Sequence, residues 1–120
     1  MTATPLSFVI AAIVAWLVVG GLGLAPGLCV GERQAMAQAT HGSAPDIAGK
    51  GIANPYAMIM SGKMLLEWLG RKRSSRQALE AAGLIDRAMD KVISEAKTLT
   101  ADLGGSATTA QMGDAVAAAI

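Results

Sequence analysis

Aromatic side chains, cysteine and net charge are all scarce in this sequence of 120 residues. Aromatic residues make up 3% of the chain and the formal net charge is +1. Without a basic excess or stacking surfaces, the composition argues against a nucleic-acid partner. The single cysteine, Cys29, cannot form an internal disulfide, and no Cys/His cluster has the spacing of a zinc site. A reducing, cytoplasmic setting is therefore expected, and the length suits one small domain.

Charged residues are also missing from the first quarter of the chain, since none precedes Glu32. The run from Phe8 to Val30 is nearly all apolar and long enough to span a bilayer. Residues 8–19 could equally be the apolar region of a signal peptide, with Ala35-Met36-Ala37 as its cleavage site. No Lys or Arg precedes the run, and glycines and Pro26 interrupt it, which counts against both interpretations. A small membrane-anchored protein stays open as an alternative.

Helical patterns begin after a loop over residues 40–55 that is rich in turn-forming residues. Asn54 is predicted to cap a helix over residues 55–70, with Pro55 at the first helical position. Gly70 is predicted at its C-cap, and the basic residues 71–73 lie near the negative end of the helix dipole. The predicted buried stripe of this helix is Met58, Ile59, Leu65, Leu66 and Leu69.

Two further helices and two short strands complete the predicted secondary structure. Ser75 is predicted to cap a helix that runs to about Ala96, and Thr108 with Gln111 forms the capping box of a last helix ending at Ile120. Residues 27–31 and 35–40 are predicted strands. The buried stripe of the second helix is predicted to be Leu79, Ala82, Ile85, Met89, Val92 and Ile93. The fold class is thus α/β, mainly helical with one or two short strands.

Three segments carry a specific resemblance. The loop His41–Pro55 reads HGSAPDIAGKGIANP, residues 20–26 read GGLGLAP, and residues 102–105 read DLGG, followed by Ala107 and Thr108. In this order they closely resemble segments of the β-decarboxylating dehydrogenases, the isopropylmalate, isocitrate and tartrate/D-malate group. The resemblance covers residues 15–120 and identifies them as the C-terminal part of an isopropylmalate dehydrogenase-like domain. Residues 1–14 are a separate apolar segment of unclear origin.

The resemblance implies that residues 41–54 form the loop that binds the adenosine of NAD. A loop with several glycines lets backbone approach a ligand closely. Asp46 would accept two hydrogen bonds from the ribose diol and repel a 2′-phosphate, so that NAD is preferred over NADP. The implied cofactor-binding residues are His41 and Asn54 at the adenine, Ile47 beside the ribose, Gly42 and Ala44 through backbone, and Ser43 within the same loop.

Each of these residues also has a simpler interpretation. Asp46 after a proline is by default a turn residue that bonds its own backbone. Asn54 before Pro55 is by default a helix cap, and a single histidine such as His41 is more often structural. The length of the joint match favours the binding interpretation for the loop as a whole, and a cap role of Asn54 is compatible with an adenine contact.

The catalytic part of the resembled family has no counterpart here. Its Mg or Mn ligands are aspartates in a G-D-I-x-S-D pattern before the GGLG segment, and in this chain residues 7–13 read SFVIAAI there, with neither aspartate present. Oxidative decarboxylation needs a base and a cation for the developing enolate. We therefore expect no catalytic or metal-binding residues, an inactive isolated chain, and a fragment from a truncated or frame-shifted gene with poor solubility.

The resemblance implies a complete enzyme that oxidises and decarboxylates a 2-hydroxy acid such as 3-isopropylmalate, tartrate or D-malate. Family members form dimers, so a homo-oligomer is one expectation for this chain. The alternative is a non-catalytic NAD- or adenosine-binding protein, or one that pairs with a separate N-terminal partner chain.

Overall fold

The computed structural model describes Val14 and residues 20–120 of the chain. Within residues 20–120, a β-hairpin is followed by three α-helices, and three short 3-10 turns connect these elements. The strands are β1 (Leu28–Val30) and β2 (Ala35–Ala37), the helices are α1 (Tyr56–Arg73), α2 (Arg76–Glu95) and α3 (Thr109–Ala119), and the 3-10 turns are Leu22–Leu24, Pro45–Ile47 and Ala101–Leu103. The prediction of a mainly helical α/β chain with short strands is confirmed.

The two strands pair antiparallel, with Cys29 opposite Met36. The Gly31 amide donates to the Gln34 carbonyl at 2.8 Å and closes the turn between them. A side chain at Gly27 would place its Cβ 2.6 Å from the Gln38 carbonyl oxygen, so glycine is needed where the hairpin begins. Both predicted strands are confirmed, with shorter bounds.

Helix α1 differs from its prediction at both ends. It begins at Tyr56, so Pro55 is the residue before the first turn rather than within it. It continues past Gly70 and ends at Arg73, with Ser74 in the left-handed conformation. The predicted C-cap at Gly70 is therefore wrong. Gly70 is buried inside the helix, because Leu79 of α2 packs directly against its Cα.

The buried face of α1 consists of small residues, and the predicted stripe of large ones is wrong in part. Ala57, Ser61 and Gly70 are buried, whereas Met58 is 53% and Leu69 is 38% exposed. Small side chains let neighbouring backbone approach closely. The Ser61 hydroxyl, for example, accepts a hydrogen bond from the Gly27 amide at 3.0 Å, which attaches the hairpin to α1.

Helices α2 and α3 begin where predicted. The Ser75 side chain accepts from the Ala78 amide, and Thr108 and Gln111 form both bonds of a capping box. In α2 the predicted burial holds for Ala82, Met89 and Val92, but Leu79 is 42% exposed. The main core cluster lies between these two helices and consists of Ala88, Met89, Val92, Met112 and Val116.

About half of the N-terminal apolar run, residues 8–13 and 15–19, lies outside the described residues, and so does the signal-peptide region 8–19 apart from Val14. The predicted domain boundary after residue 14 stays a prediction. The part from residue 20 to Val30 forms a 3-10 turn and strand β1. Among the described residues, no helix combines the length and the hydropathy that crossing a membrane requires.

Candidate functional site

The loop from His41 to Asn54 owes its shape to several residues in the left-handed backbone region. Gly42, Gly49 and Gly51 have φ values of 68°, 78° and 65°. Ala44 has a φ of 42° and precedes the 3-10 turn Pro45–Ile47. A non-glycine residue in this region costs about 1 kcal/mol or more, so Ala44 is a strained position. The sequence-based prediction of a loop over residues 40–55 is confirmed.

The Asp46 carboxylate lies in this 3-10 turn and is exposed to solvent. The hydrogen bonds and ion pairs found among residues 20–120 do not involve its side chain. A turn aspartate in its usual role would bond its own backbone two residues on. The arrangement therefore leaves both carboxylate oxygens of Asp46 able to accept bonds from a ligand.

A pocket of about 400 Å³ is lined by residues of the same loop. Four of the predicted binding residues line it, namely His41, Ser43, Ala44 and Ile47. The rest of its wall comes from small residues of the loop, Ala48, Gly49, Gly51 and Ala53, and from Thr109 at the start of α3. Its volume falls within the range of about 300–1,000 Å³ that is usual for small-molecule sites. Gly42 and Asp46 belong to the same loop but not to this wall.

His41 is half-buried at the edge of the pocket, and its Nδ1 lies 2.8 Å from the carbonyl oxygen of Gly42. A carbonyl oxygen can only accept, so this bond places the proton on Nδ1. In the neutral ring Nε2 is then an acceptor, and it is the ring nitrogen left for a ligand donor.

Asn54 ends the loop and is 7% exposed. Its Oδ1 accepts from the Tyr56 amide at 2.9 Å, so its side chain satisfies the first amide of α1 as predicted, although Pro55 rather than Asn54 stands at the N-cap position. Its Nδ2 donates to the Asp102 carboxylate at 2.9 Å. These two bonds leave one Nδ2 hydrogen and the backbone groups of Asn54 available to a ligand.

Sequence reasoning missed Thr109, which holds the second half of the loop. Its amide donates to the Gly51 carbonyl at 2.9 Å, and its hydroxyl donates to the Ala53 carbonyl, 56 residues earlier in the chain. The capping box at Thr108 and Gln111 located the start of α3 in the sequence. Nothing in that local pattern indicated which segment lies against it.

The three segments that carried the sequence resemblance converge on Asp102. Its two carboxylate oxygens accept from Asn54 at the end of the loop and from the buried Thr100 hydroxyl. A Cβ at Gly23 would lie 3.4 Å from the Asp102 Oδ2 and 3.9 Å from the Asn54 Cβ. Residues 20–26, 41–55 and 102–105 thus form one structural unit around the loop.

Within the described part of the chain, no group of three or more His, Cys, Asp or Glu side chains is close enough together to hold a metal ion. The candidate site is formed by the loop and by Thr109 in the first turn of α3.

A sequence profile described as isocitrate/isopropylmalate dehydrogenase matches residues 10–116. The chain is 50% identical over 102 residues to an isocitrate/homoisocitrate dehydrogenase from Thermus thermophilus, a match that covers 85% of this chain and 28% of that protein. It is 48% identical over 99 residues to the NAD isocitrate dehydrogenase catalytic subunit 5 of Arabidopsis thaliana, covering 82% of the chain and 25% of that protein. A 3-isopropylmalate dehydrogenase from Archaeoglobus fulgidus is also 48% identical, over 82% of the chain and 28% of its own length.

Solved structures show the same relationship. Isocitrate dehydrogenase from Methylococcus capsulatus superimposes with a TM-score of 0.78 at 44% identity. The match covers 92% of the present chain and 31% of the Methylococcus chain. A β-decarboxylating dehydrogenase from Thermococcus kodakarensis superimposes with a TM-score of 0.80 at 37% identity. This match covers 95% of the present chain and 31% of the Thermococcus chain. The chain therefore spans less than a third of the length of these relatives.

Proposed function

The chain belongs to the isocitrate/isopropylmalate dehydrogenase family, and we propose that its loop of residues 41–54 binds the adenosine half of NAD. The family consists of oxidoreductases, and one of the similar proteins carries NAD in its name. The observation that carries the proposal is the Asp46 carboxylate, which is solvent-exposed and free of bonds to the other described residues, in the loop whose residues Ala44 and Ile47 line a pocket.

The chemistry of the donor set fits an adenosine ribose. The two oxygens of a carboxylate can accept hydrogen bonds from the two vicinal hydroxyls of the sugar, and bonds to a charged acceptor contribute about 1.5–3 kcal/mol. The same charge repels the 2′-phosphate that distinguishes NADP. Asp46 would therefore both attract NAD and discriminate against NADP.

The pocket wall suits the adenine base and the sugar beside it. Ile47 offers apolar surface, and His41 offers an Nε2 acceptor at the pocket edge. Gly42 and Ala44 have left-handed backbone conformations, and their small side chains would leave the backbone accessible to a ligand. Ser43 adds a hydroxyl to the wall. Asn54 would contribute through its remaining Nδ2 hydrogen or its backbone.

The complete enzyme would oxidise the hydroxyl of a 2-hydroxy acid that carries a carboxylate on the adjacent carbon, as in 3-isopropylmalate, tartrate or D-malate. NAD would supply the hydride acceptor, and Mg or Mn would stabilise the enolate left by loss of carbon dioxide. The residues of this chain would contribute cofactor recognition, since its described part holds no candidate metal cluster and its match covers 28% of a related enzyme.

Isothermal titration calorimetry of NAD and NADP against the purified chain tests the proposal. The chain should bind NAD more tightly than NADP. Asp46→Asn should weaken NAD binding about 10- to 100-fold and reduce the preference over NADP, because it removes the charge while preserving the shape. Asp90→Asn, an exposed aspartate in α2, is the matched control and should bind as the unmodified chain does. Equal NAD affinity in Asp46→Asn and the unmodified chain would refute the role of Asp46.

A second function, complementation of a separate chain, is favoured by a different observation. The hairpin exposes Val30 (58%) and Met36 (55%), and a groove of about 470 Å³ lies between β1 and α1. The related structures contain more than twice as much additional chain. We propose that a polypeptide supplying the remaining part of the fold would cover these residues.

Mixing this chain with the part of the Thermus enzyme that the match does not cover tests complementation. Coelution in size-exclusion chromatography together with NAD-dependent isocitrate oxidation would support it. Val30→Lys should abolish coelution, whereas Leu84→Lys, on the exposed surface of α2, should leave it intact. Independent elution of the two polypeptides would exclude the proposal.

A further inference from the structure

Thr109 is the residue through which the third helix contacts the loop. Its amide and its hydroxyl donate to two carbonyls of the loop, those of Gly51 and Ala53. Its side chain also lines the pocket formed by His41, Ile47 and their neighbours. One residue thus contacts both the backbone of the loop and the space that the loop encloses.

The backbone amide of Thr109 lies in the first turn of α3, where an α-helix normally leaves its N–H groups to solvent. The first four amides of an α-helix have no partner within the helix. The Thr108 hydroxyl accepts a hydrogen bond from the Gln111 amide, and the Gly51 carbonyl accepts one from the Thr109 amide. The loop therefore completes the first turn of α3, and α3 in turn holds the loop.

The second half of the loop contains two glycines whose ordering is costly in backbone entropy. Gly49 and Gly51 adopt positive φ values and have no neighbouring atom within 4 Å of where a Cβ would stand. Glycine loses more backbone entropy on ordering than any other residue. Helix α3 is firmly held, since Met112 and Val116 are 0% and 3% exposed in the core. The two bonds of Thr109 transfer that order to the loop.

We propose that Thr109 is the positioning residue of the adenosine loop, and that its hydroxyl sets the pocket geometry on which adenosine affinity depends. The inference rests on the proposed function of the loop. Thr109 would act through the Ala53 carbonyl and the loop backbone. Every ligand that contains adenosine, such as AMP, ADP-ribose and NAD, would then be affected equally, and nicotinamide mononucleotide would not.

Two substitutions separate the hydroxyl from the shape of the side chain. Thr109→Val keeps the branched shape and the backbone amide but leaves the Ala53 carbonyl without its donor. It should weaken AMP and NAD binding by the same factor of about ten. Thr109→Ser restores the donor and should return affinity to within about twofold of the unmodified chain.

Thr108→Ala is the matched control for helix stability. It breaks the capping box of the same helix without touching the loop carbonyls, so it should lower the unfolding temperature and preserve AMP affinity. If Thr108→Ala weakens AMP binding as much as Thr109→Val does, the effect belongs to helix stability and the positioning role is wrong.

Amide hydrogen exchange gives a readout that needs no ligand. In the unmodified chain the Thr109 amide should exchange slowly, and the neighbouring Ala110 amide, which has no partner among the bonds between described residues, should exchange fast. In Thr109→Val, the Lys50 amide, bonded to Ile47 within the loop, should exchange at least severalfold faster.

The two proposals fail in different ways. A chain that binds neither AMP nor NAD would overturn the proposed function, yet faster Lys50 exchange in Thr109→Val would still establish that Thr109 orders the loop. Unchanged exchange at Lys50 in Thr109→Val, or equal exchange at Thr109 and Ala110 in the unmodified chain, would overturn the positioning role.

Discussion

The side chains of Asn54 and Asp102, 48 residues apart, are joined by a hydrogen bond of 2.9 Å from Nδ2 to Oδ2. The bond connects the end of the candidate binding loop to the segment before α3. Because Asn54 also caps α1, this one side chain links the loop to two parts of the fold.

The first prediction concerns this pair. Asn54→Ala should destabilise the chain by about 1–3 kcal/mol, because it leaves the Tyr56 amide and the Asp102 carboxylate without a buried partner. Asp102→Ala should also destabilise the chain. The double variant should lose less unfolding free energy than the two single variants added together, with a coupling energy of about 0.5–3 kcal/mol. Urea unfolding measures all three. Asp114→Ala, at an exposed position of α3, serves as the control, and strict additivity would show that the pair does not interact.

The second prediction concerns Gly105. A Cβ there would lie 1.9 Å from the carbonyl oxygen of Leu99, which is backbone and cannot rotate away. Gly105→Ala should therefore lower the free energy of unfolding by more than about 3 kcal/mol. Gly113→Ala, in α3 with open space around it, should instead raise it by up to about 1 kcal/mol. Thermal unfolding of the two variants checks the contrast, and similar unfolding temperatures would contradict it.

The third prediction compares two glycines of the same helix, α1. A Cβ at Gly70 would lie 2.6 Å from the Leu79 Cγ and 3.1 Å from the Ser75 carbonyl oxygen, whereas Gly62 has open space. Gly70→Ala should destabilise by about 1–3 kcal/mol, and Gly62→Ala should stabilise by up to about 1 kcal/mol. Adding Leu79→Ala to Gly70→Ala should recover part of the loss. No recovery would mean that Leu79 is not the obstacle.

The fourth prediction concerns the ion pairs of Lys63, which joins Glu67 of α1 at 2.9 Å and Asp86 of α2 at 3.4 Å. The hydrogen bond with Glu67 raises the pKa of Lys63 above its ordinary value of 10.5, burial of the ammonium works against this, and Asp86 adds to the rise. A folded pKa above the unfolded one means that the contribution to stability is fully present below pH 10.5 and is lost as the pH rises through the folded pKa.

Lys63→Met should accordingly lower the free energy of unfolding at pH 7 by about 0.5–1 kcal/mol and make it less sensitive to pH in the alkaline range. The matched control is Arg76→Met, which breaks a pair with Glu80 whose side chains are 88% and 58% exposed. It should cost less than about 0.5 kcal/mol. Urea unfolding at pH 7 and at alkaline pH measures both, and an unchanged alkaline slope in Lys63→Met would count against the linkage.

Local sequence signals were sufficient wherever the deciding bonds are local. Ser75 caps α2 and Thr108 with Gln111 caps α3, as predicted, because each bond spans three residues. The turn-rich composition of residues 40–55 likewise predicted a loop, and its match to a known family singled out Asp46 before any geometry was available. The binding roles of Asp46, His41 and the other loop residues remain predictions that ligand titration will test.

Tertiary structure decided which residues are buried and what lies against the loop. Gly70 resembles a helix terminus in sequence, but α1 continues through it to Arg73, and glycine is needed there because Leu79 occupies the space that a side chain would need. Thr109 holds the loop only because packing of Met112 and Val116 brings the start of α3 beside Gly51 and Ala53. Sequence alone determined the N-caps of α2 and α3, the two short strands and the loop, since these depend on neighbours in the chain. The contacts of Thr109, Asn54 and Gly70 depend on which helix faces meet, and periodicity within one helix does not encode its partner.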